Sequence, residues 1–444
     1  MRPPATPATL PRRRPRPPAV APGPGPVLVA CPDARAPAYE AAAGLAAAGL
    51  LGRFVTGFYY GGHGPASELA RRYAPCQFAR LRRRLMRRHD RRIDPGLVAS
   101  SPGYDAALAI EGRLADIPGA RRVLARWRTR AFDRRVAREV ARSLTAAAIV
   151  FSDVGSEFAL PACRRLGIPT ILSMVHGDVR EEREVLAIER AGSPDYYPLY
   201  LGDGRLDPVA LGWLHARRLR DLALADRVLV PSDHIARRLV EHGMPRSKLG
   251  VVPYAADTSR FRPAGGRGGR EGCTFLFAGG ICQRKGIGYL LRAWSRVRRP
   301  GWRLQLVGAM PRRPGPLADD LAIGGVEVLG RVGRRELPGR MAGADVFVFP
   351  SLFEGSAVVT YEALAAGLPM VATAESGTVA RDGIEGFLVP PRDVDALADR
   401  MERLGNDPAQ RASMGSASRR RAEAFGWPRY HAAIVGEVGR LLVP

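Results

Sequence analysis

Short apolar runs alternate with stretches of helical periodicity along most of the chain. Val27-Leu28-Val29-Ala30-Cys31 has no polar break, the pattern of a strand buried on both faces, as in a parallel sheet. An Ala-rich helical stretch follows over 37–50, then a second strand over 54–60. Further strands are predicted at 148–153, 169–175 and 227–230, each flanked by helical pattern. A second series at 274–278, 304–307, 326–329, 346–349, 370–373 and 387–389 is again separated by helices, and one amphipathic helix over 427–442 closes the chain. Strand and helix in turn predict an α/β protein of two Rossmann-like, doubly wound parallel-sheet domains facing across a cleft. Such sheets bind ligands beyond the carboxyl ends of their strands, so the motifs there carry the functional reading.

The Gly-rich break over 263–269 separates the two series. The expected domains are 27–253 and 254–426, with 427–444 a C-terminal helix packing back on the first. Residues 1–26, rich in Pro and Arg, cannot bury a core and are expected to be a disordered tail. A length of 444 residues suits two domains.

Charge changes this picture little. Lys and Arg together number 68 against 43 acids, a net charge of +25, yet only Lys248 and Lys285 are lysines. Such dominance of Arg, in a chain also rich in Ala, Gly and Pro, indicates a composition bias, and the total alone names no partner. Its distribution says more: 1–26 holds five arginines and no acid, and 71–142 holds 20 arginines against seven acids. Phe78, Leu81, Leu85 and Met86 among arginines read as a basic amphipathic helix over 71–92, suited to an anionic membrane surface or an acidic partner. It lacks interleaved aromatics and any nucleic-acid module, so no nucleic acid is expected. Five scattered cysteines form no metal or disulfide spacing. No apolar stretch approaches membrane-spanning length, and prolines break the basic N-terminus where a signal peptide needs an apolar run. The expected location is cytoplasmic, soluble or peripheral on the inner face of the membrane.

Two segments of the second series carry candidate chemistry. Over 346–369 a buried strand leads through Glu354-Gly355-Ser356-Ala357-Val358 into a helix, with Ser356 near its N-cap and Gly367 at its C-terminus. Glu362 lies well inside that otherwise uncharged helix, followed by Ala363-Leu364-Ala365-Ala366, where a buried carboxylate costs several kcal/mol unless it has a task. Two carboxylates flanking a helix N-terminus suit a ligand with hydroxyls at both ends and phosphates between. The second segment runs from a strand through Gly279-Gly280 to Arg284-Lys285-Gly286, placing two cations at a strand end. Lys285 is notable because the chain uses Arg almost everywhere else, and a compact ammonium differs from a guanidinium fork.

Residues 273–430 resemble the second domain of the retaining glycosyltransferases of family 4, which have the GT-B fold. The resemblance is carried by Glu354 and Glu362 as the family's pair of glutamates eight apart, by Arg284-Lys285-Gly286, by Arg381-Asp382-Gly383-Ile384-Glu385-Gly386-Phe387-Leu388-Val389, and by Phe425-Gly426-Trp427-Pro428-Arg429-Tyr430. Upstream, Ala225-Asp226-Arg227-Val228 and Val251-Val252-Pro253-Tyr254 extend it to about residue 215. The resemblance implies metal-independent transfer, with retention, of a sugar from a nucleotide-sugar donor to an acceptor it does not identify; no cofactor is expected. It implies that Glu362 binds the ribose, Glu354 the transferred sugar, and Lys285 the diphosphate. Gly279, Gly280, Arg284 and the N–H groups of Gly355, Ser356, Ala357 and Val358 would assist, and His176 would point toward the sugar. Two departures stand out: Gly280 replaces the family's usual Arg, and Ser356-Ala357 replaces an aromatic residue and a second Gly. Asp393-Val394-Asp395 has the spacing of a metal-binding motif, but its place at a helix start assigns Asp393 to capping and no metal to the pair. The alternative readings are a GT-B-like protein of other activity, or a basic protein binding membranes or nucleic acid.

Overall fold

The computed structural model describes residues 25–33, 36–61, 86–114, 117–202, 206–264 and 272–442. Most of the N-terminal tail, the greater part of the 71–92 stretch and the Gly-rich 265–271 lie outside them. Two parallel sheets are present. The first contains β1 (Val27–Cys31), β2 (Leu51–Thr56), β3 (Val98–Ser100), β4 (Ala147–Phe151), β5 (Thr170–Ser173), β6 (Arg227–Val230) and β7 (Leu249–Val251), in the order β3-β2-β1-β4-β5-β6-β7. The second contains β8 (Cys273–Ala278), β9 (Trp302–Val307), β10 (Val326–Gly330), β11 (Val346–Phe349), β12 (Met370–Ala372) and β13 (Gly386–Leu388), in the order β10-β9-β8-β11-β12-β13. Both have the strand order of a doubly wound sheet, growing outward in two directions from a central pair.

Strand β2 begins and ends earlier than its apolar pattern indicates. Gly57 leaves the ladder to donate its N–H to the Pro32 carbonyl, which ends the strand before the aromatic pair Tyr59-Tyr60. Strands β3 and β7 are additional to the expected set; at three residues each they are too short for either periodicity to register. They form because the free edges of β2 and β6 offer a ladder, pairing Phe54 with Val98 and Val228 with Leu249.

The chain divides into two compact units, 1–172 with 220–226 and 438–444, and 173–219 with 227–437. The core of the first unit packs Leu28, Val55, Phe132, Val136, Val150 and Leu160 around β1 and β4. That of the second includes Phe275, Phe277, Phe347 and Phe349, all fully buried. Phe349 stacks on Phe277 and Phe347 at centroid distances of 5.6 and 5.8 Å, while Phe275 meets Trp294 edge-on at 5.7 Å. Rings of this size contribute most of the buried apolar area per residue. In the closing helix, Trp427–Leu442, Glu437 forms an ion pair with Arg227 of β6. Among the described residues no helix is long and apolar enough to cross a membrane.

Candidate functional site

Within the second unit, β8 and β11 are adjacent and parallel, and the strand order reverses between them. Their carboxyl ends therefore open a crevice. The chain leaving β8 passes Gly279 and Gly280, makes the tight turn Gln283–Lys285 and enters the helix Ile287–Val297. The chain leaving β11 runs through 350–357 into the helix Val358–Ala365. Gly286 joins turn to helix at φ 73°, and a Cβ there would lie 2.0 Å from the Pro350 carbonyl oxygen. Only glycine fits both the backbone angle and the approach.

The two segments meet through charge. Lys285 Nζ contacts Glu354 Oε1, Arg284 Nη1 lies 3.5 Å from the same oxygen, and Ser351 Oγ donates to it at 3.4 Å. Lys285 also sits 5.1 Å from the centroid of the Phe349 ring, within cation–π range. Burial, and then the neighbouring Arg284 guanidinium, push the Lys285 ammonium well below the ordinary lysine range. Glu354 supplies the counter-charge that a buried ammonium requires.

The Arg284 carbonyl accepts the Leu352 N–H at 2.8 Å, locking the turn to the loop after β11. His176, beyond the end of β5, reaches the same loop. A Cβ on Gly177 would lie 2.4 Å from Phe353 Cε2, and one on Gly355 would lie 2.4 Å from the Val175 carbonyl oxygen. The His176 ring is oriented by Nδ1, which donates to the Gly177 carbonyl oxygen at 2.8 Å.

Glu362 lies in a separate charge environment. Burial pushes its carboxyl up to about 7, and the guanidinium groups of Arg334 and Arg260 counter part of that rise. The neighbours Ala363, Leu364, Ala365 and Ala366 are fully buried, as their composition indicates.

Two details differ from the sequence reading. Ser356 does not cap the helix: the N-cap is Ala357, while Ser356 Oγ donates to the Gly377 carbonyl at 2.7 Å. The Ala357 N–H donates to the Ser376 carbonyl at 2.9 Å, so it is already engaged within the protein. Gly367 does close the helix, with φ 67° and its N–H on the Leu364 carbonyl. Asp393 caps the helix Val394–Asn406 by accepting the Ala396 N–H at 2.8 Å, the role its position indicated. Cys31, Cys163, Cys273 and Cys282 are buried and form no disulfide among the described residues.

Sequence reasoning missed the polar anchor beneath the turn. Glu189, in the helix Val179–Gly192, is buried and accepts from Gln283, Tyr289 and Arg392. The available signal was spacing: Glu189 continues the stripe of Glu182, Val185 and Leu186, all buried.

Two parallel α/β sheets with cationic and acidic loops at a strand-order reversal define the GT-B class of fold. Solved structures share it: sucrose-phosphate synthase from Thermosynechococcus elongatus is 20% identical, with 94% of this chain and 99% of that chain covered at a TM-score of 0.61. Anabaena HepE in complex with UDP and glucose is 14% identical, with 94% and 100% covered and a TM-score of 0.58. Residues 78–260 match the family described as Glycosyltransferase Family 4, and residues 272–407 match Glycosyl transferases group 1. The chain belongs to the family 4 glycosyltransferases. A D-inositol 3-phosphate glycosyltransferase of Streptomyces avermitilis is 35% identical over 46% of this chain and 50% of its own length. An MMP alpha-(1->4)-mannosyltransferase of Mycolicibacterium hassiacum is 29% identical over 59% and 63%. The chain thus spans about half the length of the first curated relative and somewhat more of the second.

Proposed function

We propose that this protein transfers a sugar, with retention of anomeric configuration, from a nucleoside-diphosphate-sugar to an acceptor hydroxyl. The observation that carries the reading is the Lys285–Glu354 pair beside Arg284 where the strand order reverses between β8 and β11. A departing diphosphate develops negative charge, and fixed cations in a partly desolvated site stabilise it. Lys285 and Arg284 take that role without a metal, Glu354 accepts hydroxyls of the transferred sugar, and Glu362 accepts those of the ribose. His176 borders the sugar side through its place beside the Phe353–Gly355 loop. Ser356 is assigned to holding the loop, since its hydroxyl is spent on Gly377. The relatives' names, and the UDP and glucose bound to HepE, support a nucleotide-sugar donor.

The test is titration of the purified protein with UDP, GDP, ADP and their sugars while slow donor hydrolysis is followed. Saturable binding of one nucleotide, with hydrolysis of its sugar, is the expected result; binding of none overturns the donor-site assignment. Glu362→Ala is expected to weaken nucleotide binding about tenfold or more, the value of one lost charge-assisted hydrogen bond. Lys285→Ala is expected to slow turnover by about 10² to 10³, with a smaller effect on binding.

A further inference from the structure

Glu189 is fully buried, and a carboxylate taken out of water must be balanced. Three donors balance it. Gln283 Nε2 donates to Oε2 at 2.6 Å, while the Tyr289 hydroxyl and Arg392 Nε donate to Oε1 at 3.0 and 2.8 Å. They come from three separate places: the turn after β8, the helix that follows it, and the loop ahead of Val394–Asn406. Arg392 reaches Glu189 from a backbone at φ 71°, a conformation that a residue with a Cβ holds only when its surroundings enforce it.

Gln283 passes the constraint on. Its Oε1 accepts the Gly288 N–H at 3.3 Å and its carbonyl accepts the Gly286 N–H at 2.8 Å. Both bonds span Lys285 from the same residue. Val185, Leu186, Tyr200, Tyr289 and Leu352 form an apolar cluster that links the Glu189 helix to the helix after the turn and to the loop after β11. A lysine has a flexible four-carbon stem, so the place its ammonium reaches depends on how firmly its Cα is held.

We propose that Glu189 is a positioning residue for Lys285: one buried carboxylate fixes the 283–288 turn, so that Nζ meets the donor's diphosphate at a defined place. The chemical half of this rests on the glycosyl-transfer reading; the anchoring half does not.

Glu189→Gln keeps the volume but sets an amide NH₂ among three donors. The full-length variant is compared with wild type by amide hydrogen exchange of the peptide spanning 283–288, and by kcat and KM for hydrolysis of UDP-, GDP- and ADP-glucose. Both measurements are repeated in a Lys285→Ala background. Exchange in that peptide is expected to rise about tenfold or more. The kcat is expected to fall about tenfold with KM within about twofold, and that fall disappears once Lys285 is absent. Unchanged exchange, or an equal kcat loss with and without Lys285, overturns the proposal. Should Glu189→Gln not fold, Tyr289→Phe removes a single donor and is held to the same directions. A wild-type protein that hydrolyses none of the donors sinks the glycosyl-transfer reading, while the exchange measurement still decides the anchor.

Discussion

At the scale of single residues, Glu362 makes a prediction whose sign follows from its environment. Its folded carboxyl titrates near 7, above the unfolded value of 4.5. Below pH 4.5 both states are protonated and nothing is lost; as pH rises from 4.5 to 7 the unfolded carboxyl ionises while the folded one does not, and stability falls by about 3 kcal/mol in full above 7. Glu362→Gln is therefore expected to be more stable than wild type at pH 8 and equal to it at pH 4, read from denaturant midpoints at both. Ribose hydroxyls donating to the carboxylate favour its charged form, so nucleotide binding at pH 6 is expected to release close to one proton. Calorimetry in buffers of different ionisation enthalpy measures this, and binding without proton release removes Glu362 from the ribose. Glu362 was legible in the sequence because a lone acid among alanines in a buried helix needs a reason. The Lys285–Glu354 contact was not legible: each residue pointed to a ligand, and nothing in one dimension showed that they would pair with each other.

Among the elements, the long apolar strands and the 427–442 helix were readable because burial leaves an unbroken run or a clear stripe. Strands β3 and β7 were hidden by brevity, and the anchor at Glu189 by its resemblance to a solvated acid in Ala187-Ile188-Glu189-Arg190. The turn between β8 and its helix gives a sharp contrast between neighbouring glycines. Gly286→Ala meets a carbonyl at 2.0 Å from a left-handed backbone and is expected to cost about 2 kcal/mol or more. A Cβ on Gly280 meets nothing nearer than Cys282 Sγ at 4.0 Å, so Gly280→Ala is expected to stay within about 0.5 kcal/mol. Chemical denaturation of the two variants checks both. The same open space receives the longer side chain common in the family: Gly280→Arg is expected to fold normally and to bind nucleoside diphosphates more tightly, with unaltered affinity the contrary outcome.

For the molecule as a whole, the strand order was visible only as alternation; that β8 and β11 lie side by side emerges from pairing, which no local pattern encodes. The charge of +25 predicts weak, salt-sensitive adsorption to anionic vesicles at low ionic strength, lost once added salt shortens the Debye length to about 8 Å. Co-sedimentation with anionic and neutral vesicles at two salt concentrations tests this, and equal retention on neutral vesicles contradicts it. In so cationic a chain, an unguarded lysine in a crevice would collect whatever anion diffused past. Lys285 instead carries a resident counter-ion, so an incoming group must do more than be negative: it must displace Glu354 and give that carboxylate new hydrogen-bond donors. Chloride offers charge alone, whereas a diphosphate joined to a sugar offers both. On the proposed reading, a diphosphate that has lost its sugar would no longer occupy Glu354, and the returning ion pair would compete with it for Lys285. The contact between these two side chains would, on that reading, serve both to select the donor and to expel the spent nucleotide.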